Sequence, residues 1–195
     1  MRRLIETGKD DNSPEHYDKI WLPRFAKKEL DTTQPARASC LLKKFTGGKF
    51  IEMGCGIAPH CLMASKIGES WGLDISAKLI PLLRKAYPEI NYIVGDVNNT
   101  PFRDEYFDYV AMGELLEHLE NPEETLKECF RILKKGGTLA LSTPLNDNGH
   151  CAPVEHIWSY VHKDIREMLS KFGDIETYIL EETNHVYIIG YCKKQ

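Results

Sequence analysis

The chain has 195 residues, a formal net charge of −4, 42% hydrophobic and 28% charged side chains. That suffices for one domain with a substantial core, is too short for two ordinary ones, and excludes a disordered or fibrous chain. The mildly acidic balance offers no broad basic face for a polyanion, and no run approaches the roughly 20 apolar residues of a bilayer-spanning helix.

Residues 1–15 are polar and expected to be loose; MRRLIETGKDDN has two arginines but no apolar run behind them, so no secretory signal is expected. His16 to Phe45 mixes aromatics, basic residues and prolines and reads as one or two short helices. This makes 1–45 a helical N-terminal segment covering a cleft in the main domain, 46–195. Lys49–Met53 (KFIEM) is a short apolar run stopped by glycine, a buried strand. A helix over Pro59–Ile67 follows, with proline in its first turn. Ser70–Asp74 is a second strand, and Ser76 is placed to N-cap a helix over Ala77–Ala86. Asn91–Val94 and Phe107–Met112 are the third and fourth strands. Asn121-Pro122-Glu123-Glu124 opens a helix with a cap, a proline and first-turn acids, and Lys134-Lys135-Gly136-Gly137 suits its end. Thr138–Thr143 is a fifth strand, Lys163–Phe172 a helix, and Ile175–Leu180 and Val186–Cys192 closing strands.

Strands alternating with helices predict an α/β fold: a doubly wound, mostly parallel sheet of the Rossmann-like kind. Ligands in such sheets sit beyond the carboxyl ends of the strands, where strand order reverses. The six cysteines (40, 55, 61, 129, 151 and 192) form no CxxC pair and mostly sit in apolar runs. Buried free thiols in a reducing compartment are expected, and with them a cytoplasmic location.

Chemistry is therefore sought at strand ends. Glu52-Met53-Gly54-Cys55-Gly56-Ile57-Ala58 joins the first strand to a helix, and small residues there let a ligand approach the backbone and the free N–H groups of the helix start. A nicotinamide-type fingerprint would want glycine at position 59, where the chain has Pro59. Asp74 closes the second strand, where an acid can accept from both hydroxyls of a ribose. Gly95-Asp96-Val97 puts another acid at the end of the third.

Taken in order, IEMGCGIA, GLDIS, IVGDVNNTPF and FDYVAMGELLEHLENPEETLKECFRILKKGGTLALSTP resemble the motif set of class I S-adenosylmethionine-dependent methyltransferases. The resemblance is good from about Lys49 to Pro144 and weaker beyond. It implies seven strands with the last antiparallel, and S-adenosylmethionine as cofactor. Glu52, Gly54 and Gly56 would line its methionine and ribose side, Asp74 would bind the ribose hydroxyls, Asp96 the adenine amino group with Val97 beside the ring, and Ile75 and Gly113 would count among the cofactor-binding residues. Ala58 stands where the motif has a third glycine.

Glu114, Glu117 and His118 follow the fourth strand. On a helix their spacing puts all three on one face, which suits either a solvated acidic face or one side of a ligand set. His156 follows the fifth strand. Two carboxylates and two imidazoles suit a borderline divalent cation such as Mn²⁺, Zn²⁺, Fe²⁺ or Co²⁺, and can serve Mg²⁺. The pattern resembles ELLEH plus a downstream histidine in quinone-pathway O-methyltransferases and in small-RNA 2′-O-methyltransferases, where such residues hold a divalent ion against the substrate oxygens. Carried over, the ligands are Glu114, Glu117, His118 and His156. Without a metal, His118 or His156 would act as general base. The expected reaction is O-methylation of a small-molecule acceptor. N-methylation, RNA as the less favoured partner, a nicotinamide-dependent oxidoreductase and a non-catalytic cofactor-binding subunit are the alternatives. His150 and Cys151 beside His156 lack the paired thiolates of a zinc site, Trp158 and Tyr160 are expected to pack, and Tyr17 and Trp21 to fold over the cofactor.

Overall fold

The computed structural model describes residues 1–4, 12–27, 35–145, 156–182 and 185–195. The expectations for His150 and Cys151 lie outside the described residues, as does most of the polar start of the chain. The elements in order are β1 (Arg2–Arg3), α1 (Pro14–Ala26), α2 (Pro35–Leu42), β2 (Lys49–Met53), α3 (Pro59–Ala64), β3 (Glu69–Asp74), α4 (Leu79–Ala86), β4 (Asn91–Val94) and β5 (Phe107–Gly113), followed by α5 (Pro122–Ile132), β6 (Leu133–Pro144), β7 (Trp158–Ser159), α6 (His162–Leu169), β8 (Gly173–Glu182) and β9 (His185–Lys194).

Successive strand residues point to opposite faces, and here both faces are apolar. Ile51, Val110, Met112, Leu139, Leu141 and Ile188 join one core cluster, whereas Phe50, Tyr109, Ala111, Ala140, Ile189 and Tyr191 join another. A sheet buried on both sides needs helices on both sides. α5 and α6 supply Leu126, Cys129, Ile165 and Leu169 to the first cluster; α2, α3 and α4 supply Leu41, Cys61, Leu79 and Leu83 to the second. The seven-stranded sheet runs β4-β3-β2-β5-β6-β9-β8. β2 to β6 pair in parallel, and β9, the last strand, is antiparallel to both β6 and β8. Strand order reverses between β2 and β5, so the cleft the topology defines lies past Met53 and Gly113.

Several boundaries differ from expectation for physical reasons. The helix from Pro59 stops at Ala64, and the helix after Ser76 starts at Leu79, although the Ser76 hydroxyl still accepts the Leu79 N–H at 3.1 Å. Asn121 makes no side-chain cap. α5 ends at Ile132 rather than at the Lys-Lys-Gly-Gly run, because Leu133 is already extended and buried as the first residue of β6. The cation at that helix end comes from β9: Lys194 Nζ donates to the carbonyls of Phe130 and Leu133, each at 2.6 Å. Arg2–Arg3, expected to be loose, pairs with β7 in a separate two-stranded ribbon.

Glu128 on α5 is the main polar tie on its face. Its Oε1 accepts the Thr100 N–H at 2.8 Å and hydroxyl at 2.6 Å, and Arg131 donates to both of its oxygens at 2.7 Å. Burial alone would raise the carboxyl's pKa, but the Arg131 and Thr100 bonds outweigh it and push the value down to about 2. A depressed carboxylate stabilises the fold above its unfolded value and loses that contribution as pH falls. Chemical denaturation should therefore show Glu128→Gln less stable than the parent by about 2–3 kcal/mol at pH 7, with the gap closing between pH about 4.5 and 2. A gap that persists at pH 2 would show that the tie is not ionic.

Candidate active site

The glycine loop leaves β2 with three residues in the left-handed region, Gly54 (φ 68°), Gly56 (φ 48°) and Ala58 (φ 64°). Only glycine takes this conformation without cost, so Ala58 is a strained third member of the loop. Asp74 holds the loop in place. Its carboxylate is 4% exposed and accepts the N–H of Gly56 at 2.8 Å on one oxygen and that of Ser76 at 2.9 Å on the other. Burial raises its pKa, against the pull of those two N–H groups. Each oxygen keeps a further acceptor site, as binding of a diol would require.

Glu52 lies beneath the loop. Its carboxylate is 2% exposed and meets His60 Nδ1 on one oxygen and the Cys61 thiol at 3.3 Å on the other. His60 Nε2 is buried with no hydrogen-bond partner, and a Cβ at Gly113 would come within 2.9 Å of the same ring. Asp96 is exposed past β4, accepting the Asn98 N–H at 2.8 Å, with Val97 buried beside it and Ile75 half-buried after Asp74.

α1 lies across this face. The Ser76 hydroxyl and Lys78 ammonium both contact the buried Asp18, and a Cβ at Gly56 would lie 3.0 Å from the Trp21 ring. Tyr17 meets His118 edge-on with ring centroids 6.3 Å apart. Among the described residues the Glu52–His60–Cys61 contact and the Asp18 latch were not foreseen. Both join residues that look unremarkable singly, and only their encounter across elements marks them.

The acidic segment does not take the helical form that would put its three residues on one face. Residues 114–118 do not form a helix: Glu114 is left-handed (φ 51°), and only Leu116–His118 makes a 3₁₀ turn. Glu114 is engaged by other elements. It accepts the Ser142 hydroxyl at 2.9 Å and faces Arg37 at 3.4 Å, while Arg37 also lies over the Tyr187 ring at 5.1 Å. The other three residues do meet. Ligating atoms of Glu117, His118 and His156 all lie within 4.8 Å of one another, and the two imidazoles are edge-on at 4.8 Å between centroids.

Glu117 is 1% exposed; its Oε2 accepts the Thr143 hydroxyl at 3.0 Å, and its Oε1 has no hydrogen-bond partner. Burial holds the carboxyl pKa of Glu117 above the ordinary range, and burial plus the neighbouring Glu117 charge does the same for Glu114. A buried carboxylate oxygen without a donor is costly unless a proton or cation joins it. Of the four residues, Glu117, His118 and His156 come together, and Glu114 is not in that group. Trp158 and Tyr160 pack, as expected: the Trp158 indole donates to Leu119 at 2.7 Å and Tyr160 is fully buried.

Residues 51–141 match a family described as a methyltransferase domain. The chain is 36% identical over 98 residues to the demethylmenaquinone methyltransferase of Lysinibacillus sphaericus, covering 47% of this chain and 42% of that one. It is 28% identical over 136 residues to the ubiquinone biosynthesis O-methyltransferase of Coxiella burnetii, covering 63% and 56%. It spans about half the length of these curated relatives. Its fold superposes, with TM-score 0.76 at 18% identity over 92% of this chain and 98% of the other, on a chain from the complex of a Haloferax volcanii methyltransferase with the Trm112 methyltransferase activator. The family match over residues 51–141 and the seven-stranded sheet agree: this stretch resembles a methyltransferase domain, and the fold is the Rossmann-like one shared with solved methyltransferase structures. Among the described residues no helix is long and apolar enough to cross a membrane.

Proposed function

We propose that the protein methylates a hydroxyl oxygen of a small-molecule acceptor, bound where β5 and β6 end. The observation that carries this reading is the convergence of Glu117, His118 and His156 at the strand end next to the glycine loop. The likeness to a ubiquinone biosynthesis O-methyltransferase supports it. Five described cysteines are free, which suits a reducing, cytoplasmic setting.

S-adenosylmethionine supplies an activated methyl group, so orientation and electrostatics are left to the protein. Gly54 and Gly56 give its methionine and ribose side close access to the backbone, Asp74 accepts from the ribose and Asp96 from the adenine amino group. Gly113 leaves room for the His60 ring, and Glu52 shapes the loop from beneath through His60. On the acceptor side a divalent ion (Mg²⁺, Mn²⁺ or Zn²⁺) held by Glu117, His118 and His156 would lower the hydroxyl pKa and fix the oxygen. His118 and His156 are the groups placed to take the hydroxyl proton when no ion is held.

Calorimetry should find binding of adenosylhomocysteine and none of NAD. A screen of phenolic, other small hydroxylic, amine and RNA acceptors with methyl-labelled cofactor should then place the label on a small-molecule oxygen. Label on nitrogen alone, or on RNA alone, would overturn the acceptor assignment.

A further inference from the structure

His156 is positioned from the residues that follow it. The Ile157 N–H donates to the Glu117 carbonyl at 2.8 Å, the Trp158 indole to Leu119 at 2.7 Å and the Tyr160 hydroxyl to Leu116 at 3.3 Å. These bonds stitch the stretch after His156 onto the turn that carries Glu117 and His118. Its other edge is closed by β1: Arg2 pairs with Ser159, Arg3 with Trp158, and the Leu4 N–H donates to the Ile157 carbonyl at 2.7 Å. Ile157 is therefore bonded in both directions, toward Glu117 on one side and Leu4 on the other.

A two-residue strand cannot hold such a pairing by its backbone alone. Arg3 supplies the anchor: its Nη2 donates to both carboxylate oxygens of Glu120, at 2.9 and 2.7 Å, while its charge lies over the Trp158 ring at 5.1 Å. Glu120 follows His118 by two residues. Arg3 therefore bridges the two segments that carry the cluster, one at Glu120 and the other at Trp158.

We propose that β1 is a splint for the acceptor site and that Arg3 is a positioning residue, holding His156 against Glu117 and His118. The inference rests on the reading of those three residues as the acceptor-side cluster. The Arg3 and Glu120 side chains are 27% and 38% exposed, and an ion pair that exposed adds little to global stability. Its removal is expected to loosen the site rather than unfold the chain.

The test is calorimetric titration of the whole chain with Mn²⁺ and, separately, with adenosylhomocysteine. Loss of a supporting contact behind a ligand costs 10- to 100-fold in metal affinity. Arg3→Ala should therefore weaken Mn²⁺ binding at least about tenfold, while adenosylhomocysteine binding, which depends on other strand ends, stays within about twofold. The swap Arg3→Glu with Glu120→Arg should recover most of the loss. Retained cofactor binding shows that the variant is folded, and should Arg3→Ala lose it, Leu4→Pro removes only the Leu4 donor and takes its place. Unchanged Mn²⁺ affinity in a folded variant overturns the splint. If the parent protein itself takes up no Mn²⁺, the cation reading falls, and the splint is judged on His156 ring signals and Ile157 amide exchange by NMR. Faster exchange with displaced His156 signals in Arg3→Ala supports it, and an unaltered pattern overturns it.

Discussion

Asp74→Ala is expected to lose about 2–4 kcal/mol of stability and, in the fraction that folds, about 1.5–3 kcal/mol of adenosylhomocysteine affinity. The two losses have different origins. The first comes from the Gly56 and Ser76 N–H groups, which lose their acceptor inside a buried site. The second comes from the ribose hydroxyls, to which the same carboxylate offers its remaining acceptor positions. A cofactor analogue lacking a ribose hydroxyl separates them: the parent should bind it more weakly than adenosylhomocysteine, and the folded variant should not distinguish the two. Equal discrimination in parent and variant would leave Asp74 as a loop brace only. Asp96, exposed and bonded to one backbone N–H, should give the milder result on replacement by Asn, with affinity reduced and stability nearly untouched.

Glu117→Gln should sharply lower cation binding and turnover while leaving cofactor binding and the fold intact. The substitution keeps the shape and can keep the Thr143 bond but removes the charge. Its effect on stability should run the other way. The Glu117 carboxyl has a pKa raised by burial above its ordinary value of 4.5, so the folded state binds that proton more tightly than the unfolded chain. That contribution is fully present below pH 4.5 and is lost as pH rises through the raised folded value. Above neutrality Glu117→Gln should therefore melt at a higher temperature than the parent. Added divalent ion should close that gap by stabilising the parent alone. His156→Ala should likewise lose cation binding and turnover. Full turnover in excess chelator, with elemental analysis finding no stoichiometric metal, would end the cation reading and leave a histidine base, with activity lost on replacing His118 or His156 but not both alike.

Much of this molecule is legible locally. A short, largely apolar run such as KFIEM or FDYVAM reads as a buried strand before any partner is known. Glycines 54 and 56 mark a left-handed turn because other residues enter that region at a cost. Asp74 and Asp96 follow as strand-end acids from the same pattern. These features depend on the stiffness and polarity of a few consecutive residues, and those are properties of the chain itself.

What the chain does at Glu114 is of another kind. Its spacing to Glu117 and His118 is helical, yet Ser142 and Arg37 claim its carboxylate from other elements and the backbone turns left-handed, so three residues rather than four form the cluster. The lysines beside α5 looked like its cap, but Lys194, about 60 residues later, takes that place because β9 lies alongside. Arg3 looked like part of a loose polar start until Trp158 and Glu120 came within reach. In each case a polar group had several local options of nearly equal energy, and burial against a distant segment chose among them. The sequence alone determined the strands of the main sheet and the class of fold. Which charges meet in the acceptor site was decided only by the tertiary structure, since desolvation makes an unpartnered buried group costly and the partner arrives from far along the chain.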